Sequence, residues 1–378
     1  MQVEMNSAPK RRKRRLFLLG VLGMLLLCSA VAGLSALSNL TLPGEPEVLD
    51  RLEPLDKARL EETLHLKREL GEAVWPGWGK ADIPVLLRTR EYGFLVGHSD
   101  PPAGWVPVDG DSLDGRPYYR HEVQDWQNFA VQVGDRWVAS LSTKWAADAF
   151  VREQFQSMLP PVIEQVFPYR LLILPSEVQM TGVLHESFHV FQMKLAPERL
   201  QDAETAYQDD AEYWSIDPAM RDDWKVEIDL LTRAVGAASD AEAAELAGQF
   251  LAQRSRRRRE HGLGPALADY ERRLEWLEGL AKYVELTAWR EASGTPGYEP
   301  LPALATDPYF KSYATFDQRW SQELGQMKRQ ATRDGEVRFY YTGMAQGVLL
   351  DRLMPDWKSR ILVEDVWLED LLAQKPAG

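Results

Sequence analysis

Cysteine is nearly absent: among 378 residues there is only Cys28, inside an apolar run near the N-terminus. No intrachain disulfide can form, and no zinc site can be built from thiolates. Histidine is scarce too, at positions 65, 98, 121, 185, 189 and 261 only. Any metal centre must therefore draw on few imidazoles and on carboxylates. Basic charge is missing from the body of the chain. Residues 1–32 hold six Lys or Arg (Lys10 to Arg15) against Glu4, a balance of +5. The whole chain is −13, so the remainder carries −18. Such a field repels phosphate and argues against nucleic acid as a partner. Internal repeats and low-complexity stretches are also lacking.

What is present begins with LFLLGVLGMLLLCSAVAGLSAL (16–37), 22 residues without a charge. As a helix it would be about 33 Å long, enough to cross a bilayer core. The basic run KRRKRR (10–15) before it places the N-terminus in the cytoplasm and the body outside. Ala30-Val31-Ala32 offers a small-x-small signal cleavage site, and RRLFLL (14–19) resembles a twin-arginine export signal. Leu27 before Cys28 does not fit a lipoprotein site. Uncleaved anchor and cleaved signal both export the body.

The rest reads as α+β in three parts: a basic tail with the anchor or signal (1–40), a helix plus β-rich part (41–160), and a mostly helical part (161–378). Residues 49–73 have the spacing and charge of one exposed helix, broken by WPGWG (75–79). From 83 to 141 short β-type runs alternate with Gly, Asp and Pro, and predict a mainly antiparallel sheet. Gly134-Asp135 within QVGDRWV (132–138) marks a hairpin. TKWAADAFVREQFQSML predicts a helix stopped by Pro160-Pro161. YRLLILP (169–175) reads as a short buried strand. Ser176 with Gln179 has capping-box spacing for a helix running through 194. Residues 198–292 read as almost wholly helical, with breaks near Pro218, at 236–239 and at 262–265. The run Arg256 to Arg259 reads as a solvated helix face. RFYYTGMAQGVLLDRL predicts a last apolar helix ending before Pro355.

The chemistry centres on HESFH (185–189). On a helix, positions i and i+4 share a face, so His185 and His189 can reach one metal ion, with Glu186 between them. Their neighbours Val183, Leu184, Phe188, Val190 and Phe191 predict a buried helix. Burying three polar groups there without partners would be expensive. None of the other four histidines lies in a ligand pattern. The third ligand is then a glutamate of LEWLEGLAKYVEL (274–286): Glu278 among apolar positions and followed by Gly279, Glu285 seven residues on, or Glu275.

HESFH followed by WLEGLAKYVE resembles the gluzincin metallopeptidases, of the thermolysin-like and aminopeptidase N-like groups. Their second helix carries a W-x-x-E-G-x-A-x-Y type pattern, matched here by Trp276, Glu278, Gly279, Ala281 and Tyr283 with one residue fewer before the Glu. The resemblance implies a zincin-like C-terminal half, one Zn2+ held by His185, His189 and Glu278, and Glu186 as general base. YYTGMAQGVLLD (340–351) resembles the Tyr-x-x-Gly stretch of aminopeptidase N-like enzymes. That implies Tyr340 as oxyanion stabiliser, with Tyr341 as its neighbouring alternative. The 88 residues between His189 and Glu278 exceed the spacing in those groups, so an extra helical insertion is expected. No G-x-M-E-N segment is present, so aminopeptidase activity is not implied. The expected activity is hydrolysis of peptide or protein substrates outside the cytoplasm. The competing expectation is an exported zinc-binding or scaffold protein without turnover.

Overall fold

The computed structural model of the chain describes residues 8–44, 49–122 and 127–374. These form two units. One draws on the stretches up to 47 and 144–174, the other on 48–143 and 175 onward. In chain order the first helices are α1 (Ala8–Asn39), α2 (Pro54–Val74), α3 (Lys144–Met158), α4 (Pro161–Glu164), α5 (Ser176–Leu195) and α6 (Pro197–Thr205). Then come α7 (Asp210–Ser215), α8 (Met220–Val235), α9 (Asp240–Glu260), α10 (Pro265–Leu274) and α11 (Leu280–Gly294). The last are α12 (Phe316–Gln330), α13 (Val337–Leu353), α14 (Lys358–Ile361) and α15 (Leu368–Ala373).

In the first unit, α1 contains Phe17–Asn39, a segment of mean hydropathy 2.4 long and apolar enough to cross a membrane. Its end is tied down: Asn39 Nδ2 donates to the Phe167 carbonyl at 2.8 Å. The stretch read as a buried strand at 169–175 is instead a 3₁₀ turn, Tyr169–Leu172, with Leu171 80% exposed. A short apolar run between prolines has strand-like composition, but among the described residues it pairs with no strand.

The second unit holds the sheet: β1 (Val85–Arg88), β2 (Tyr92–Val96), β3 (Val106–Pro107), β4 (Tyr119–Glu122), β5 (Phe129–Val133) and β6 (Arg136–Ser142). Their order is β3-β4-β2-β1-β6-β5. Every pairing is antiparallel except β1 with β6. The expected hairpin joins β5 to β6, with Gly134 at φ +62° supplying the left-handed turn residue. β5 is an edge strand.

Helix α5 lies against β5 and β6 on one side and against α2 and α11 on the other. Helix α2, read as exposed, is therefore substantially buried. Its charged residues are paired inward: Arg59 bridges Asp56 and Asp307, and Glu62 accepts from the Tyr298 and Tyr313 hydroxyls. The capping box at the start of α5 does not form: Pro175 is the N-cap, Ser176 is already the first helical residue, and its Oγ donates to Asp307. The arginine run also departs from its reading. Arg257 is fully buried and Arg258 mostly so, whereas Arg256 remains on the surface.

Between α10 and α11 the chain makes a π-turn, Glu275–Gly279. A Cβ on Gly279 would lie 2.5 Å from Gly343 Cα, and one on Gly343 would lie 2.4 Å from the Glu275 carbonyl oxygen. Two backbones touch here, leaving no room for a side chain at either glycine. Single π-turns recur at functional sites because they re-phase side chains along a helix. Gly279→Ala is expected to lower the unfolding free energy by about 1–3 kcal/mol through overpacking, read as a lower urea midpoint. Gly248→Ala, with nothing within 4 Å of the added carbon, serves as control and should be neutral or slightly stabilising.

Candidate metal centre

Helix α5 buries His185, Glu186 and His189 together, and their ligand atoms all lie within 4.8 Å of one another. The histidine rings meet edge to face at 4.8 Å. Both reach across to the π-turn. His185 Nε2 is 3.2 Å from Glu278 Oε2, and His189 Nε2 is 3.4 Å from the same oxygen. His189 Nε2 lacks hydrogen-bond alignment there and has no other partner.

The far side of each ring is tethered. His189 Nδ1 lies 2.9 Å from Gln192 Oε1, whose amide nitrogen donates to the Trp276 carbonyl at 2.8 Å. That contact fixes the ring and turns Nε2 towards Glu278. His185 Nδ1 faces Glu285 Oε2 at 3.7 Å, and Glu285 is in turn held by Lys282 and Arg319. Outer partners of this kind fix ring orientation in metal sites. A zinc ion held here would accordingly bind about 10–100-fold more weakly in Gln192→Ala, measured by competitive titration against a chromogenic chelator.

Electrostatics set the protonation states. Burial disfavours a charged His185, but Glu278 and Glu285 outweigh it and push its pKa up to about 10. Burial acts against the Glu278 carboxylate too, yet the two histidines hold it well below the usual range. Glu186 goes the other way: burial raises its pKa although both histidines pull it down. Its Oε2 has no hydrogen-bond partner. The Tyr340 ring stacks on His185, 5.9 Å between centroids and 14° from parallel. Burial raises the Tyr340 pKa and Glu278 adds to it, so the hydroxyl stays neutral and able to donate.

Of the sequence candidates, His185, His189, Glu278, Glu186 and Tyr340 come together, and Glu285 stands behind His185. Glu275 points away, to Arg254 at 2.6 Å. Tyr341 is drawn instead towards Glu323 and Lys282. His65, His98, His121 and His261 are engaged elsewhere.

Three participants escaped the sequence. Tyr207, between α6 and α7, donates to Glu278 Oε1 at 2.6 Å while 39% exposed. Glu204, one helical turn earlier, feels His189 and Glu278. Phe129 of the edge strand covers His189, with ring centroids 4.5 Å apart. The stretch 201–210 is polar and without periodicity, so nothing in it singled out Tyr207. Comparison with known families, with curated proteins and with solved structures found no match to this chain.

Proposed function

We propose that the chain is an exported or membrane-anchored zinc peptidase with a zincin-like catalytic half. In this reading His185, His189 and Glu278 hold one Zn2+, Glu186 is the general base and Tyr340 the oxyanion donor. One observation carries the reading: two imidazole Nε2 atoms converge on a single carboxylate oxygen at 3.2 and 3.4 Å. Donors about 2.0–2.2 Å from a tetrahedral zinc lie about 3.3–3.5 Å from one another. The chemistry of the set, two nitrogens and a carboxylate oxygen with no thiolate, also fits zinc.

Zinc held by three protein groups would supply Lewis acidity to a water and to a scissile carbonyl. Glu186, whose free Oε2 is buried beside both histidines, accepts the attacking water's proton and passes it to the leaving amine. The neutral Tyr340 hydroxyl donates to the carbonyl oxygen as it gains charge. Tyr207 keeps the second Glu278 oxygen occupied, so Oε2 faces the histidines. The edge strand β5 gives an extended peptide a row of backbone groups to pair with, beside His189.

Tyr340→Phe is expected to lower kcat by about 10²–10³-fold with zinc content unchanged. The reading as a whole is tested with full-length protein in detergent and a mixed peptide library. Chelation should abolish cleavage, and one equivalent of zinc should restore it. Cleavage that survives metal removal would refute the reading. Zinc bound without cleavage would leave the silent zinc-binding or scaffold alternative.

A further inference from the structure

We infer that residues 150–174 form a second membrane-contacting face, lying on the outer leaflet beside the point where α1 leaves the bilayer. Beyond residue 40, thirteen large hydrophobic side chains are exposed among the described residues, and seven of them fall in these 25 positions. The other six are scattered singly, as on any soluble surface. Phe150, Met158, Val162 and Leu171 are exposed by 61%, 67%, 78% and 80%. Concentrated apolar exposure of this kind marks an interaction surface.

The opposite side of the same segment is packed. Phe167 sits between Phe155 and Tyr169, at 5.9 and 5.1 Å, and Tyr169 is buried. The segment is thus an amphipathic layer with one satisfied face and one open face, the form of an interfacial element.

Two observations name lipid as the occupant. The first is continuity with the apolar surface of α1. The Asn39 amide holds the Phe167 carbonyl, and Arg170 Nη1 donates to Thr41 Oγ1 at 3.2 Å, both at the last turn of α1 or just beyond. An α1 crossing the bilayer therefore delivers the patch to the membrane surface. The second is charge. Residues 150–174 carry Arg152 and Arg170 against Glu153 and Glu164, net zero, on a chain whose body is −18. A neutral apolar face can approach anionic headgroups that repel an acidic body.

The inference rests on α1 remaining as an anchor, and the experiment separates the two. Full-length protein is reconstituted into phosphatidylcholine–phosphatidylglycerol vesicles with an environment-sensitive fluorophore on a single cysteine. The native Cys28 reports α1. In a Cys28→Ser background, Val162→Cys and Leu171→Cys report the patch, and Ser359→Cys gives the aqueous reference. Positions 162 and 171 are mostly exposed, so neither substitution disturbs packing.

The expected result is blue-shifted emission at 28, 162 and 171, quenched by lipid-borne nitroxide and protected from iodide, with 359 fully iodide-accessible. A lipid-quenched Cys28 probe with 162 and 171 as wet as 359 overturns the inference and leaves the anchor standing. A wet Cys28 probe ends the anchor reading and the inference with it. Shielding at 162 and 171 from both quenchers means that protein covers the face, which also overturns it.

Discussion

Under the proposed peptidase roles, Glu186→Gln is expected to lower peptide turnover by about 10²–10⁴-fold, the contribution of a positioned general base, with zinc content unchanged. The two halves of that result have separate causes. Glutamine has the same shape and cannot take a proton from water, so the chemical step fails. The carboxylate oxygen Oε2 has no hydrogen-bond partner to lose, and burial already disfavours its charge. Stability should therefore hold or rise slightly. His185, His189 and Glu278 are untouched, so metal content should match the wild type. The readouts are kcat/KM on one cleaved peptide and zinc per chain on the same sample. Loss of zinc together with activity would make Glu186 a ligand and displace the proposed division of roles.

Arg257→Ala is expected to destabilise the protein by about 3–5 kcal/mol, because removing one cation of a buried ion network leaves its carboxylates under-compensated. Arg257 is fully buried and donates to Glu227 at 2.8 Å and to both Glu271 oxygens at 2.7 and 2.9 Å. Its guanidinium lies 3.9 Å above the Trp224 ring. Burial opposes the charge on Glu271, but Arg257 and Arg258 overcome it and hold its pKa far down. Alanine would leave Glu227 with Arg254 and Glu271 with Arg258 and the Tyr213 hydroxyl, a buried network one cation short. Arg254 belongs to the same network and reaches Glu275 on the π-turn, so the change should also reach the candidate site. Arg256→Ala is the contrast. That side chain is 47% exposed and pairs with Asp223 at 2.6 Å, worth at most about 1 kcal/mol. Urea unfolding of the two variants beside the wild type measures the difference directly.

The helix of the candidate site was legible in sequence because two physical signals coincide there. Histidines at i and i+4 share a face, and apolar neighbours on every side leave such a helix nowhere to sit except the core. Glu278 was legible for a related reason, as a carboxylate on the apolar side of its helix beside a glycine. Glu285 shows the limit of spacing. Seven residues on, it shares the face, yet its carboxylate reaches the far nitrogen of His185 at 3.7 Å and stands behind that ring.

Buried charge was the least legible feature. The run Arg256 to Arg259 reads as solvated, and α2 reads as exposed, because one-dimensional charge cannot reveal partners supplied by distant segments. Arg257 finds Glu227 thirty residues away, and Arg59 finds Asp307 across 248. Tyr207 was invisible for the same reason: its only distinction is the carboxylate that the fold brings to its hydroxyl.

The central claim is that His185, His189 and Glu278 form one zinc site. Equilibrium dialysis of the full-length protein against buffered micromolar zinc, followed by metal analysis, tests it most directly. The account predicts one zinc per chain in the wild type, the same in Glu186→Gln, and none in Glu278→Ala. Absence of zinc from the wild type, or undiminished zinc in Glu278→Ala, would contradict it.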